Sequence, residues 1–318
     1  MVFAQAITIG DQIYFGSGTT TIGETDCLRY KIFRYNSTQE KWSPVSMCPV
    51  VGFGMVNFMN RLTLVGGAYE STGSDSSMPY SLTNHVYVYN EDTSHCEKTI
   101  PPMPSARLLP TVMTYGSTMA ACGGIVLDRK HDICLSTVEV YSSENCQWYH
   151  AEPLPLACIG MTFATIHETC YLLGGFTDTD FDHPTKVVFS VSLPRLIDDA
   201  LTRNEIVSSV HSPVKTETPA KMWQSIPDVP RYAATATTIG SCLIAIGGSD
   251  ERLEHKSGAL HVFSPLTNSW LRVDDIPVAC FACAAARLPR GELVIMGGMG
   301  HDEEDALKTV FRGRISLD

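Results

Sequence analysis

The sequence predicts an all-β ring built from six copies of one small antiparallel sheet, and three observations predict it. Glycine pairs recur at Gly66-Gly67, Gly123-Gly124, Gly174-Gly175, Gly247-Gly248 and Gly297-Gly298, behind a degenerate Gly16-Ser17-Gly18. Counted from Gly18 to the second glycine of each pair, the spacings are 49, 57, 51, 73 and 50 residues. The only four tryptophans, Trp42, Trp148, Trp223 and Trp270, each stand seven residues before a proline: Pro49, Pro155, Pro230 and Pro277. Aromatic residues at Tyr35, Tyr89, Tyr141 and Phe263 mark a third position in the same register.

Residues 231–277 show the unit most fully. A small-residue strand at 233–239 turns at Gly240-Ser241 into the apolar run 243–246, which ends at Gly247-Gly248. An unbroken apolar strand is one covered on both faces. A polar loop, an alternating strand at 259–263, a Ser-Pro-Leu-Thr-Asn turn and a strand carrying Trp270 complete the sheet. One such sheet leaves two apolar faces wet, so the sheets must stack around an axis, with small residues innermost. Paired glycines, a tyrosine and then a tryptophan resemble the kelch repeat, and the resemblance covers nearly the whole chain. It implies a six-bladed kelch-type β-propeller.

Taken in order, the blades fall at 4–48, 51–104, 106–155, 157–230, 231–279 and 280–318, within a single domain. Blade 1 has the imperfect glycine pair. Blade 2 lacks a tryptophan: Cys96 or Glu97 stands at that position, so its seam is expected to pack less well. Blade 4 carries the long spacing because 194–221 intervenes before Trp223. That insertion reads as mobile, with a short helix at 194–204 and a Ser/Thr/Pro-rich excursion at 205–221. Blade 6 has a third strand at 309–316 and no tryptophan strand after it, so it is expected to be three-stranded, with an open edge. A longer native N-terminus carrying a partner domain, or strand addition by another chain, would complete it.

Composition narrows the partners. A net charge of −11 and a pI near 5.3 argue against nucleic acid and favour a basic partner. Eleven cysteines are an odd number, and no secretory signal opens the chain, so most are expected to be buried thiols in a reducing, cytoplasmic compartment. Apolar runs of five to eight residues exclude a membrane-spanning helix.

Few residues point to chemistry, and the expectation is a non-enzyme with no cofactor and no metal. Asp178, Asp180 and Asp182 have the opening spacing of a calcium loop, but His183 replaces the turn glycine and Phe189 the bidentate glutamate, so a solvated acidic loop is expected. Cys280-Phe-Ala-Cys283 matches C-x-x-C, but on a strand a spacing of three sends the two side chains to opposite faces. No phosphate loop, nucleophile elbow or H-E-x-x-H motif occurs. Ser212 and Thr218 each open an S/T-P-x-K sequence, candidate sites for proline-directed phosphorylation.

The best functional candidate is a surface. The resemblance implies that one end of the ring, made of loops between second and third strands and of segments leading into each inner strand, binds partner proteins or peptides. Carried onto this chain, that face includes Phe53, Arg107, Leu108, Ile159, Arg231, Tyr232 and Phe281; arginines with aromatics are what binding hot spots favour. The loops at 19–29, 68–84, 125–135, 176–186, 249–257 and 299–308 hold sixteen acidic residues against seven lysines and arginines. The expected function is a protein-interaction module, part of a substrate-recognition or scaffold assembly. The alternative is a small-molecule or sugar-processing propeller resembling kelch-type mutarotases.

Overall fold

The computed structural model describes residues 5–16, 31–70, 80–126, 132–209, 222–300 and 310–315. Six antiparallel sheets surround one axis. Blade 1 runs Gln5–Ile9, Gln12–Gly16, Lys31–Asn36 and Lys41–Met47; blade 2 runs Gly54–Phe58, Arg61–Val65, Val86–Asn90 and His95–Ile100. Blade 3 is Thr111–Tyr115, Thr118–Cys122, Val138–Ser142 and Gln147–Ala151; blade 4 is Thr162–Ile166, Thr169–Leu173, Val188–Ser192 and Gln224–Ile226. Blade 5 is Thr235–Ile239, Cys242–Ile246, Ala259–Ser264 and Ser269–Asp275, and blade 6 has the three strands Ala284–Arg287, Leu293–Met296 and Val310–Gly313. Each inner strand contacts the inner strands on both sides, and blade 1 meets blade 6, so the ring is closed. Two short ribbons, Ala68–Glu70 with Tyr80–Leu82 and Ile125–Val126 with Ile133–Cys134, extend the loops of blades 2 and 3.

Tryptophans lock the seams. Three of the four pack on the aromatic residue opposite: Trp42 on Tyr35, Trp148 on Tyr141 and Trp270 on Phe263, with ring centroids 5.1, 5.4 and 5.2 Å apart. Three indole N–H groups then donate to a carbonyl just beyond the preceding blade's outer strand. Trp148 reaches Pro101 O at 2.8 Å, Trp223 reaches Glu152 O at 3.2 Å and Trp270 reaches Pro227 O at 2.9 Å. Burying the ring while bonding its one polar atom is what makes tryptophan the suitable residue here. In blade 2 it is Cys96 that stands opposite Tyr89. A cleft of about 520 Å³, lined by Lys31, Pro44, Val45, Pro49, His95 and Cys96 among others, opens at that seam. Cys96→Trp is expected to raise stability by about 0.5–2 kcal/mol, as filled cavities commonly do; an unchanged urea midpoint would count against it.

The ring closes differently between blades 6 and 1. Arg312 on the third strand of blade 6 pairs with Glu292 (2.6 Å) and reaches across to Glu40 (2.6 Å) and the Tyr35 hydroxyl (3.4 Å). On the blade 5 side, Leu271 is 67% exposed, whereas Tyr149, its counterpart after the tryptophan of blade 3, is half-buried against the seam with blade 4.

The insertion within blade 4 begins as a docked helix rather than a mobile segment, and 210–221 lie outside the described residues. Leu193–Ser209 is one helix, longer than 194–204. Leu193, Leu196, Ile197 and Ala200 are buried in the seam of blades 3 and 4, a one-face spacing that docks the helix. Arg203 holds Asp199 at 2.7 Å and lies 3.9 Å from Glu152 of blade 3. Among the described cysteines, Cys48, Cys122, Cys158, Cys170, Cys280 and Cys283 are buried, and these six form no disulfide. No described helix is long and apolar enough to cross a membrane.

Candidate partner-binding face

The end of the ring where inner strands begin is assembled by a repeated backbone device. In each of blades 2 to 6, a residue leading into the inner strand bridges the residue after that blade's glycine pair: Val51 to Ala68, Leu108 to Ile125, Ile159 to Phe176, Tyr232 to Ser249 and Phe281 to Met299. The second glycine also carries the next blade, since Gly67, Gly124 and Gly248 donate their N–H groups to Arg107 O, Cys158 O and Cys280 O at 2.8, 3.1 and 2.8 Å. At Gly124 a Cβ would lie 2.7 Å from Leu108 O, and φ is +99°. Only glycine fits there.

This device decides the fate of the seven residues expected on the face. Phe53, Ile159 and Phe281 are buried, because their segments pair with the glycine loops rather than standing above them. Arg107 is fully buried: its guanidinium is 2.9 Å from Glu139, equally buried, and Nη1 donates to Gly123 O (3.0 Å) and Thr137 O (3.2 Å). Burial draws Arg107 below its ordinary value and the Glu139 carboxylate opposes the shift. These four are therefore structural, which corrects the expectation that they contact a partner. Leu108, Arg231 and Tyr232 remain half-exposed, and the Lys186 ammonium lies 5.0 Å from the centre of the Tyr232 ring across the seam of blades 4 and 5. Ser212 and Thr218 lie outside the described residues, as do most of the acidic loops of blades 1, 2, 3 and 6.

The two second-to-third-strand loops described throughout share one plan. Asp178 accepts the backbone N–H groups of Asp182 (3.1 Å) and His183 (3.0 Å), and His183 Nδ1 lies 3.2 Å from its carboxylate. Asp250 accepts those of Glu254 (2.9 Å) and His255 (3.2 Å), with His255 Nδ1 at 2.6 Å. Between each Asp and His stands an apolar residue with left-handed backbone, Phe181 (φ 62°) and Leu253 (φ 60°). Both pack, with Leu108, around the buried Leu109, Ile125, Ile159 and Phe176. The result is an apolar cap near the axis, stapled from the rim. Asp178 thus spends its carboxylate on its own loop. Among the described residues no cluster of three or more His, Cys, Asp and Glu is placed to hold a metal.

The repeat of this plan was legible in the sequences DTDFDH (178–183) and DERLEH (250–255), both Asp-x-x-apolar-acid-His, but only once the loops were aligned on their glycines. The His255 side chain, then the loop N–H groups, hold the Asp250 carboxyl below the usual carboxylate range against the effect of burial. In Asp178 burial pushes up and the N–H groups of His183 and Asp182 more than offset it. A depressed carboxyl stabilises the loop above its unfolded-state value, and that contribution is lost as pH falls through the lowered one. An NMR titration is expected to place the Asp250 midpoint below that of a free aspartate; an ordinary midpoint would refute the staple.

Below the cap, an axial cavity of about 370 Å³ runs between the inner strands. Its polar lining comes mainly from threonines, with Gln5, Cys283 and Arg287. Several of these groups already bridge neighbouring strands. Gln5 accepts Met55 N–H at 2.6 Å, Thr111 Oγ1 donates to Met161 O at 2.9 Å, Thr162 Oγ1 accepts Ala236 N–H at 3.1 Å and Thr8 Oγ1 donates to Arg287 O at 2.8 Å.

Cys280 and Cys283 overturn the separation expected of them. The inner strand starts only at Ala284, and Ala282 has φ +50°, so the chain turns and brings the sulfurs within 3.3 Å.

A family model described as the Kelch motif matches residues 230–277, which is blade 5 with the segment leading into it. The same glycine geometry and tryptophan latches recur around the ring. The chain is a six-bladed β-propeller that carries a Kelch motif in blade 5. Among solved structures, one described as the structure of YjhT is similar over 100% of this propeller and 95% of that chain, with 13% identity and a TM-score of 0.72. No curated protein matches the propeller in sequence. Similarity to 627 solved chains shows how widely the architecture is shared, so it does not select a function.

Proposed function

We propose that this propeller is a protein-interaction module that seats a partner protein or peptide over the apolar cap, as part of a recognition or scaffold assembly. The observation that carries the reading is the cap itself: Leu108, Phe181 and Leu253 are half-exposed beside one another, and the Asp–His staples hold the loops that present two of them. Such a patch, with Tyr232 and Arg231 at its border, is the composition that binding surfaces favour. Around it Asp180, Asp182, Glu251 and Glu254 are exposed, against Arg252, which favours a basic partner. Cavity volume favours the competing reading, a sugar-processing propeller, since about 370 Å³ is within the range of small-molecule sites. The commitment of its polar groups to bridging strands favours the interaction module.

The test is affinity capture with the wild type, Leu253→Asp and Leu266→Asp, each checked for an unchanged melting temperature. Leu266 is 96% exposed in a turn at the opposite end of the ring. A partner held by the wild type and Leu266→Asp, lost by Leu253→Asp and weakened by salt, is the expected result. Equal retention by both variants would overturn the reading.

A further inference from the structure

The Cys280–Cys283 pair is held in contact by the backbone. Cys280 O accepts Gly248 N–H at 2.8 Å and Cys280 N–H donates to Ser257 O at 3.2 Å, both on blade 5. Phe281 exchanges two bonds with Met299 of blade 6, at 3.1 and 3.0 Å, and Ala282 N–H donates to Ala233 O of blade 5 at 3.0 Å. Five main-chain bonds thus fix the turn independently of the sulfurs, which are left 3.3 Å apart, in residues only 2% and 4% exposed. A disulfide needs about 2.05 Å between sulfurs, so closing one calls for a shift of roughly 1.2 Å within a turn.

The neighbourhood also distinguishes the pair. Burial pushes the Cys158 and Cys170 thiols up to about 12, where they are inert. Cys280 instead is drawn below the ordinary thiol value by the Cys283 thiol, which is itself pushed well up. The buried Lys256 places its ammonium 5.6 Å from the centre of the Phe281 ring, in the segment between the two cysteines. Cys283 lies on the wall of the axial cavity, whose 370 Å³ admits a solute as small as a peroxide.

We propose that Cys280 and Cys283 are an oxidisable dithiol, closed to a disulfide by a peroxide within the folded ring. The Cys280 thiolate attacks one oxygen of hydrogen peroxide; the O–O bond breaks, and the departing hydroxide takes up a proton as water. Cys280 is then a sulfenic acid. The Cys283 sulfur attacks the Cys280 sulfur, the S–O bond breaks, and the second hydroxide leaves as water with the Cys283 proton. Two thiols have lost two electrons and two protons, and one peroxide has become two waters. The bridge ties a residue anchored on blade 5 to the residue before the inner strand of blade 6, beside the partner-binding end of the ring.

The test is mass spectrometry of the native full chain after hydrogen peroxide, quenching and N-ethylmaleimide in denaturant. Both cysteines fall in one tryptic peptide, 273–287. The expected product is that peptide lighter by two hydrogens, unreactive to maleimide until reduced, and formed about tenfold or more faster than any product of Cys122 or Cys170. With Cys283→Ser, Cys280 is expected to proceed to sulfinic acid; with Cys280→Ser, Cys283 is expected to remain maleimide-reactive. Two maleimides on the wild-type peptide at doses that oxidise the exposed Cys146, or pairing of either residue elsewhere, would overturn the proposal. The wild-type result stands whether or not the variants fold.

Discussion

Replacing Arg107 with alanine is expected to lower stability by about 3–5 kcal/mol, the cost of leaving a buried charge without its partner. The remaining charge is Glu139, which is fully buried and whose other near group, the Ser105 N–H at 3.4 Å, is a long contact. Arg107 also carries the Gly123 and Thr137 carbonyls, so the truncation unpairs the glycine loop of blade 3. The pair itself is a different matter. Arg107 Nε has no hydrogen-bond partner among the described residues, and a buried ion pair with unsatisfied atoms is often no better than a well-packed apolar one. Arg107→Met with Glu139→Leu is therefore expected to recover most of the loss. Urea midpoints of the two singles and the double decide it. A single-site loss under about 1 kcal/mol would mean that water reaches Glu139 and the site is not the dry pair described.

Trp223→Ala is expected to cost about 3–5 kcal/mol, as deletions of large buried aromatics do. Trp223 is the most buried of the four tryptophans, at 5% exposure, and it lies in the core shared by blades 3 and 4 with Leu196, Ile197 and Ala200 of the docked helix. Removing the ring opens that seam and frees Glu152 O, whose side chain also anchors Met222 N–H at 3.0 Å. In a repeat protein the damage should be local. Hydrogen exchange is expected to accelerate in the helix and in Gln147–Ala151 before it does in blade 6. Uniform acceleration around the ring would mean that the six blades open as one unit.

The sequence alone determined the ring. Glycine pairs mark points of close backbone approach, which tolerate no Cβ whatever the context, and tryptophans mark seams because a large ring with one polar atom must find both a packing surface and an acceptor. Both requirements are local, so both repeat visibly. Only the tertiary structure decided which residues the face presents. Arg107 has the composition of a hot spot, and nothing near it in the chain says that Glu139, on the third strand of the same blade, waits in a dry pocket. The helix Leu193–Ser209 carries Leu193, Leu196, Ile197 and Ala200 on one face, and only the fold shows that face seated in the seam of blades 3 and 4. Cys280 and Cys283 were placed on opposite faces by strand geometry, which fails where Ala282 turns left-handed to bond Ala233 in the neighbouring blade. A spacing rule fixes side-chain direction only while the backbone stays regular, and at the seams of this ring it is the adjoining blade that bends it.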